Sequence, residues 1–158
     1  MIALLLAAAG LCGGLRQAVK QAERPTEPFA AWKGAQEPFA GDLSLFKSKR
    51  GLPPFDKCRV AVAKDLSALE CELPIEDLRK AYDELQRLIA QVDKCLDSSW
   101  EKRHPPIEQK YSLLGVSSWK KRAMEVQVYA QAPGDKHLGF PLMPVQTGAV
   151  IVLTVTVE

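Results

Sequence analysis

Few residues in this 158-residue chain have the type and spacing that chemistry needs. Its two histidines are His104, followed by Pro105-Pro106, and His137, close to Gly139. A histidine works as a base or ligand only with a carboxylate, thiol or nucleophile in reach. Neither stands at such a spacing, so both read as loop residues. Ser-x-x-Lys occurs at Ser44/Lys47, Ser99/Lys102, Ser117/Lys120 and Ser118/Lys121. On a helix that spacing lets an amine deprotonate a hydroxyl. None of the four sits at a clear helix start, and the companion Ser-Asp-Asn and Lys-Thr-Gly elements are absent, so the matches read as chance. There is no phosphate-cradling glycine loop, no Gly-x-Ser-x-Gly elbow and no His-Glu-x-x-His. No metal and no other cofactor is expected.

The cysteines are the sharper signal. Cys58, Cys71 and Cys95 fall on faces that pattern as core, and no pair has Cys-x-x-Cys spacing. A zinc or thioredoxin-like site is therefore unsupported. In an exported chain Cys58 and Cys71 pair first, because they lie opposite each other in a hairpin. Cys95 is then an odd thiol or a partner for Cys12; another arrangement has it bridge helix to sheet. In a reducing compartment all are small buried hydrophobes.

Three surfaces could bind something. Residues 98–122 interleave Trp100, Tyr111 and Trp119 with Lys102, Arg103, Lys110, Lys120, Lys121 and Arg122. Such a mixture can stack on and neutralise an anionic polymer. The plainer reading, a wet loop and turn with two core-anchoring tryptophans, is preferred because the net charge is only +2, and nucleic acid is not an expected partner. The connection 132–148 carries Phe140, Leu142, Met143 and Val145, a contact patch or a cover for a sheet edge. Glu-Pro-Phe-Ala occurs twice, at 27–30 and 37–40, placing Phe29 and Phe39 about Trp32 as candidate anchors.

The elements that must hold these residues follow from periodicity. Residues 2–15 are uncharged, too short for a span of about 20 residues but matched to the apolar core of a secretory signal. Residues 1–14 are expected to be a signal-like leader, cleaved between Ala9 and Gly14, though no basic residue precedes the run. An uncleaved anchor or a short buried helix are the alternatives. Residues 15–57, with five prolines and three glycines beyond Leu15, read as a partly docked linker.

The domain is expected over 58–158. Cys58–Lys64 and Ser67–Leu73 alternate as a hairpin about Lys64–Asp65, pairing Cys58 with Cys71, Val60 with Leu69 and Val62 with Ser67. Arg59, Ala61, Ala63, Glu70 and Glu72 take the other face. A helix follows from about Ile75 to Leu96, with Leu78, Tyr82, Leu85, Ile89, Val92 and Leu96 as its apolar stripe and Ala81, Leu88 and Cys95 beside them. Strands are expected at Tyr111–Trp119, Ala123–Ala130 and Ala149–Val157. The order β-β-α-β-β-β makes an α+β domain: an antiparallel sheet of four to five strands with one long helix on one face.

Residues 58–158 resemble small exported bacterial domains of unknown function, in the hairpin with Cys58 and Cys71, the helix ending near Cys95, the His104-Pro105 loop and the final strand Ala149–Val157. The resemblance implies no activity and no functional residue. The composition, 47% hydrophobic and 25% charged, excludes a disordered polyelectrolyte, a collagen-like fibre and a polytopic membrane protein. The reading that remains is an exported, non-catalytic binding or accessory domain contacting a protein or envelope component, with a membrane touched only through an uncleaved leader. A Ser/Lys-type hydrolase or transferase, or anionic-polymer binding through residues 98–122, is the alternative. After leader removal three cysteines would leave one bridge and one free thiol.

Overall fold

The computed structural model describes residues 2–55, 57–103, 113–131, 136–137, 140–141 and 148–158, with side chains from Gly10 onward except at 113–114, 136–137 and 140–141. The chain opens with helix α1 (Ile2–Ala22) and a 3₁₀ turn (Ala30–Trp32). Strands β1 (Lys33–Glu37), β2 (Ser44–Ser48), β3 (Lys57–Ala63) and β4 (Leu66–Ile75) precede helix α2 (Leu78–Cys95). Then come β5 (Glu101–Arg103), β6 (Leu113–Lys121), β7 (Met124–Gln131), β8 (Lys136–His137), β9 (Phe140–Pro141) and β10 (Ala149–Val157). Eight strands form one antiparallel sheet in the order β1-β2-β3-β4-β10-β7-β6-β5, and β8 pairs with β9 apart from it.

The class is α+β, but the sheet is larger than expected. β1 and β2 lie within the stretch read as a linker, and β5 within a stretch read as a loop. Their sequences lack the alternating apolar pattern that marks a half-buried strand. Tertiary pairing makes them strands. β2 adds to the edge of β3, with Leu45 opposite Ala61 and Phe46 opposite Val60. β1 adds to β2, where Gly34 lets the backbones approach: a Cβ there would stand 2.7 Å from the Lys47 carbonyl oxygen.

The β3–β4 hairpin has the register its sequence implies: Cys58 opposite Cys71, Val60 opposite Leu69, Val62 opposite Ser67. β10 is inserted between β4 and β7, with Ile151, Leu153 and Val155 on the helix side. It enters through Gly148 (φ +89°), where a Cβ would collide with the Ile75 carbonyl oxygen at 1.9 Å.

Both helices cover one face. The expected single helix is α2, three residues shorter at its start because Pro74 and Ile75 complete β4; Asp77 caps it by accepting from the Arg79 N–H at 2.8 Å. Its buried stripe is Ala81, Leu85, Leu88, Val92 and Cys95, while Leu78 and Tyr82 stand half exposed. Ala81, Leu88 and Cys95, expected beside the stripe, are within it, and Leu78 and Tyr82 at its start are not; α1 packs against α2, joined to it by the Cys12–Cys95 bridge. α1 buries Leu11, Leu15, Ala18 and Ala22 in the same core as Val60, Leu69, Val126 and Leu153. Phe29 and Trp32 join that core too, so the first candidate anchor and its tryptophan are interior residues.

Two disulfides close the structure: Cys58–Cys71 across the hairpin and Cys12–Cys95 between the helices. No cysteine is free, which replaces the expectation of one bridge and one thiol. That expectation removed Cys12 with the leader, whereas α1 continues unbroken through residues 11–14. In the chain-entropy account the 13-residue separation contributes about 3 kcal/mol and the 83-residue separation about 4.5 kcal/mol. Among the described residues no helix is long and apolar enough to cross a membrane.

Candidate functional site

Alternation along each strand sends every second side chain to the face away from the helices. The pairing aligns those side chains in rows across the sheet. One row runs Arg59 (β3), Glu70 (β4), Thr154 (β10), Gln127 (β7) and Ser118 (β6). The next runs Leu45, Ala61, Ala68, Thr156, Glu125 and Lys120. On the other side lie Lys57, Glu72, Val152, Tyr129 and Val116. Leu45, Ala61 and Ala68 form a small apolar cluster, against which half-buried Phe39 and Leu43 pack from the β1–β2 connection. Tyr129, Val150 and Val152 form a second.

Between them sits a polar strip that is not wet. Glu70 is 7% exposed, Glu72 4% and Thr154 2%; at the far end of the second cluster, opposite Val150, Gln131 is also fully buried. Glu72 receives a 2.7 Å ion pair from the Arg59 guanidinium. Burial pushes the Glu70 carboxyl up to about 7, opposed by the charge of Arg59 and reinforced by that of Glu72. Burial also holds the Tyr129 phenol in its neutral form. Among the described residues the side-chain amide of Gln131 and the hydroxyl of Thr154 have no hydrogen-bond partner. A buried polar atom left so costs on the order of 1–3 kcal/mol.

Phe39 and Leu43 rise over this strip and make a groove of about 520 Å³, walled by Ala61 and Ala68 and floored by Glu70 and Thr154, with Glu125, Gln127 and Glu158 at its polar side. The Gln127 amide donates to Glu125 at 3.1 Å. That volume lies in the range of small-molecule or side-chain sites. The β3–β4 register, and Phe39 as a candidate anchor, were each legible in the sequence. Their meeting was not, because it depends on β1 and β2 joining the sheet.

The residues marked from sequence are placed differently. Trp119 and Trp100 are 2% and 8% exposed. The Trp119 indole donates to Asp93 at 2.9 Å, and Lys102 spans Asp93 at 3.1 Å and the Trp119 ring at 5.6 Å. Lys121 lies 5.8 Å over the Trp100 ring. These indoles brace β5 and β6 against α2, and their faces are covered by the protein's own cations. Arg103 pairs with Glu101 at 3.0 Å, which holds the Glu101 carboxyl below its usual range. Lys120 lies between Glu101 and Glu125 in the pairing register, and Arg122 takes the β6–β7 turn with φ 55°.

The Ser-x-x-Lys pairs are parted by the sheet itself. Ser44/Lys47, Ser117/Lys120 and Ser118/Lys121 lie on strands, where positions i and i+3 face opposite sides. Ser99 instead donates its hydroxyl to Asp97, which lowers the Asp97 carboxyl. Met143 and His104 lie outside the described residues; of Phe140 and His137 only the backbone is described, in β9 and β8. Among the described residues no group of three or more His, Cys, Asp or Glu could hold a metal ion.

No family model, no curated protein and no solved structure matches this chain.

Proposed function

We propose that this protein is an exported, non-catalytic binding domain, and that it engages a protein or envelope component through the groove on the outer sheet face. The observation that carries the reading is the groove itself: Phe39 and Leu43 fold over a buried carboxyl and an orphan hydroxyl. Its walls are apolar, its floor is polar, and both belong to paired strands. The two disulfides fit an oxidising compartment and support export. Cys12 must then stay in the folded protein. Leader cleavage within the window read from the sequence therefore falls before Leu11, which is itself core.

Two measurements test this. Intact mass of the protein from its native host, with and without reduction, should show both bridges and an N terminus before Leu11. A photo-crosslinking residue at Leu43 should give an adduct in intact cells that the same residue at Arg79, on exposed α2, does not. Equal labelling at the two positions overturns the groove as the binding face.

A further inference from the structure

Resting on that reading, we infer that the groove receives a primary ammonium on an apolar stem, the lysine side chain of a partner protein, seated between Glu70 and Thr154. Every charged residue lining the groove is a carboxylate: Glu70, Glu125 and Glu158. None of its lining residues is basic. A cation is therefore the complementary charge.

The walls say what kind of cation. Phe39, Leu43, Ala61 and Ala68 line the approach to Glu70. A hydrated metal ion gains nothing from such walls, whereas the methylenes of a lysine bury against them and leave the charged end at the floor. The floor has acceptors to meet it. Glu70 and Thr154 are direct cross-strand partners, which sets their Cβ atoms about 5 Å apart. Among the described residues the Thr154 hydroxyl is buried without a partner and has lone pairs to offer. Two acceptors converging from neighbouring strands suit a compact ammonium with rotatable donors better than the rigid fork of a guanidinium.

The sheet's own cation is engaged elsewhere. Arg59 stands opposite Glu70 in register but gives its 2.7 Å ion pair to Glu72. The charged and titratable groups facing Glu70 are Arg59 and Lys57 on β3, Glu72 on β4, Glu125 and Tyr129 on β7, and Glu158 just past β10. Burial keeps Glu70 protonated up to about pH 7, and an incoming ammonium favours the carboxylate. Occupation then releases a proton, and affinity falls about tenfold for each pH unit below 7.

The test is amide chemical-shift titration of the intact, oxidised protein. The probes are acetylated, amidated Val-Lys-Val, its norleucine and arginine analogues, and n-hexylammonium. The lysine peptide should shift Glu70, Thr154 and Gln127, bind at least tenfold more tightly at pH 8 than at pH 6, and outcompete hexylammonium. Norleucine should bind at least tenfold more weakly, and so should the lysine peptide with E70Q. T154V should weaken the lysine peptide several-fold and the norleucine analogue not at all. Equal binding of lysine and norleucine overturns the inference, as does preference for arginine, for hexylammonium, or shifts away from the groove. A Leu43 photo-adduct undiminished in E70Q overturns the ammonium while leaving the groove as a binding face. Absence of the adduct in both proteins overturns the two together.

Discussion

On one face of the sheet Val60, Leu69, Val126 and Leu153 are closed from water by α1 and α2. On the other face the same strands bury Glu70, Glu72, Gln131 and Thr154. The helix-covered face solves burial with apolar atoms and two layers of packing. The outer face buries a carboxyl, an ion pair and orphan polar atoms between two small apolar clusters. A face kept only for stability has no use for such groups, since apolar residues of similar volume are as good or better there. The difference separates an apolar, helix-covered face from the polar face that carries the proposed binding groove.

The comparison can be broken by mutation. L153A should cost about 4 kcal/mol in a denaturant melt, because it leaves a cavity in the helix-covered core. R59A should cost about 3 kcal/mol, through a different route: it removes the 2.7 Å ion pair from the Glu72 carboxylate, which is only 4% exposed. A loss no larger than that of a surface pair would show that the outer face is wet after all.

E70Q is read by pH. Glu70 keeps its proton to about pH 7, whereas an ordinary glutamate loses it near 4.5. Between those values the folded state holds more protons than the unfolded one, so stability falls as pH rises through that window and levels off above it. E70Q should remove roughly 2 kcal/mol of the difference in stability between pH 5 and pH 8. An unchanged pH profile would mean that Glu70 is solvated like any surface glutamate. The smallest effect is expected from T154V, within about 1 kcal/mol of the parent and on the stabilising side, since the hydroxyl it removes has no partner. A clear loss of stability would reveal a partner for that hydroxyl within the fold.

Much of the helix-covered face was legible in the sequence. Period-two alternation and the Lys64–Asp65 turn together set the β3–β4 register, and with it the Cys58–Cys71 bridge. β10 announced itself by its β-branched run. α1 was harder, because the uncharged stretch that makes Leu11 and Leu15 good core residues is also what a secretory leader looks like. β1 and β2 were hidden, since Lys33–Glu37 has no apolar face and is a strand only by virtue of β2. The outer groove was hidden with them. Glu70 looks like a solvent-facing residue until Phe39 and Leu43 are brought to the same groove. The two Glu-Pro-Phe-Ala copies, identical in sequence, put Phe29 in the core and Phe39 on the opposite side.

The place of β10 bears on the order in which the molecule can be made. A chain that appears N terminus first offers β1 to β4 as one block, then β5 to β7 as another. No strand of the first block pairs with any of the second; only β10, the last strand in chain order, touches both β4 and β7. Until it arrives, each half keeps an open edge of unpaired N–H and C=O groups. The β1–β4 and β5–β7 blocks become one continuous sheet only through the nine-residue strand β10, which is the seam between two otherwise separate halves.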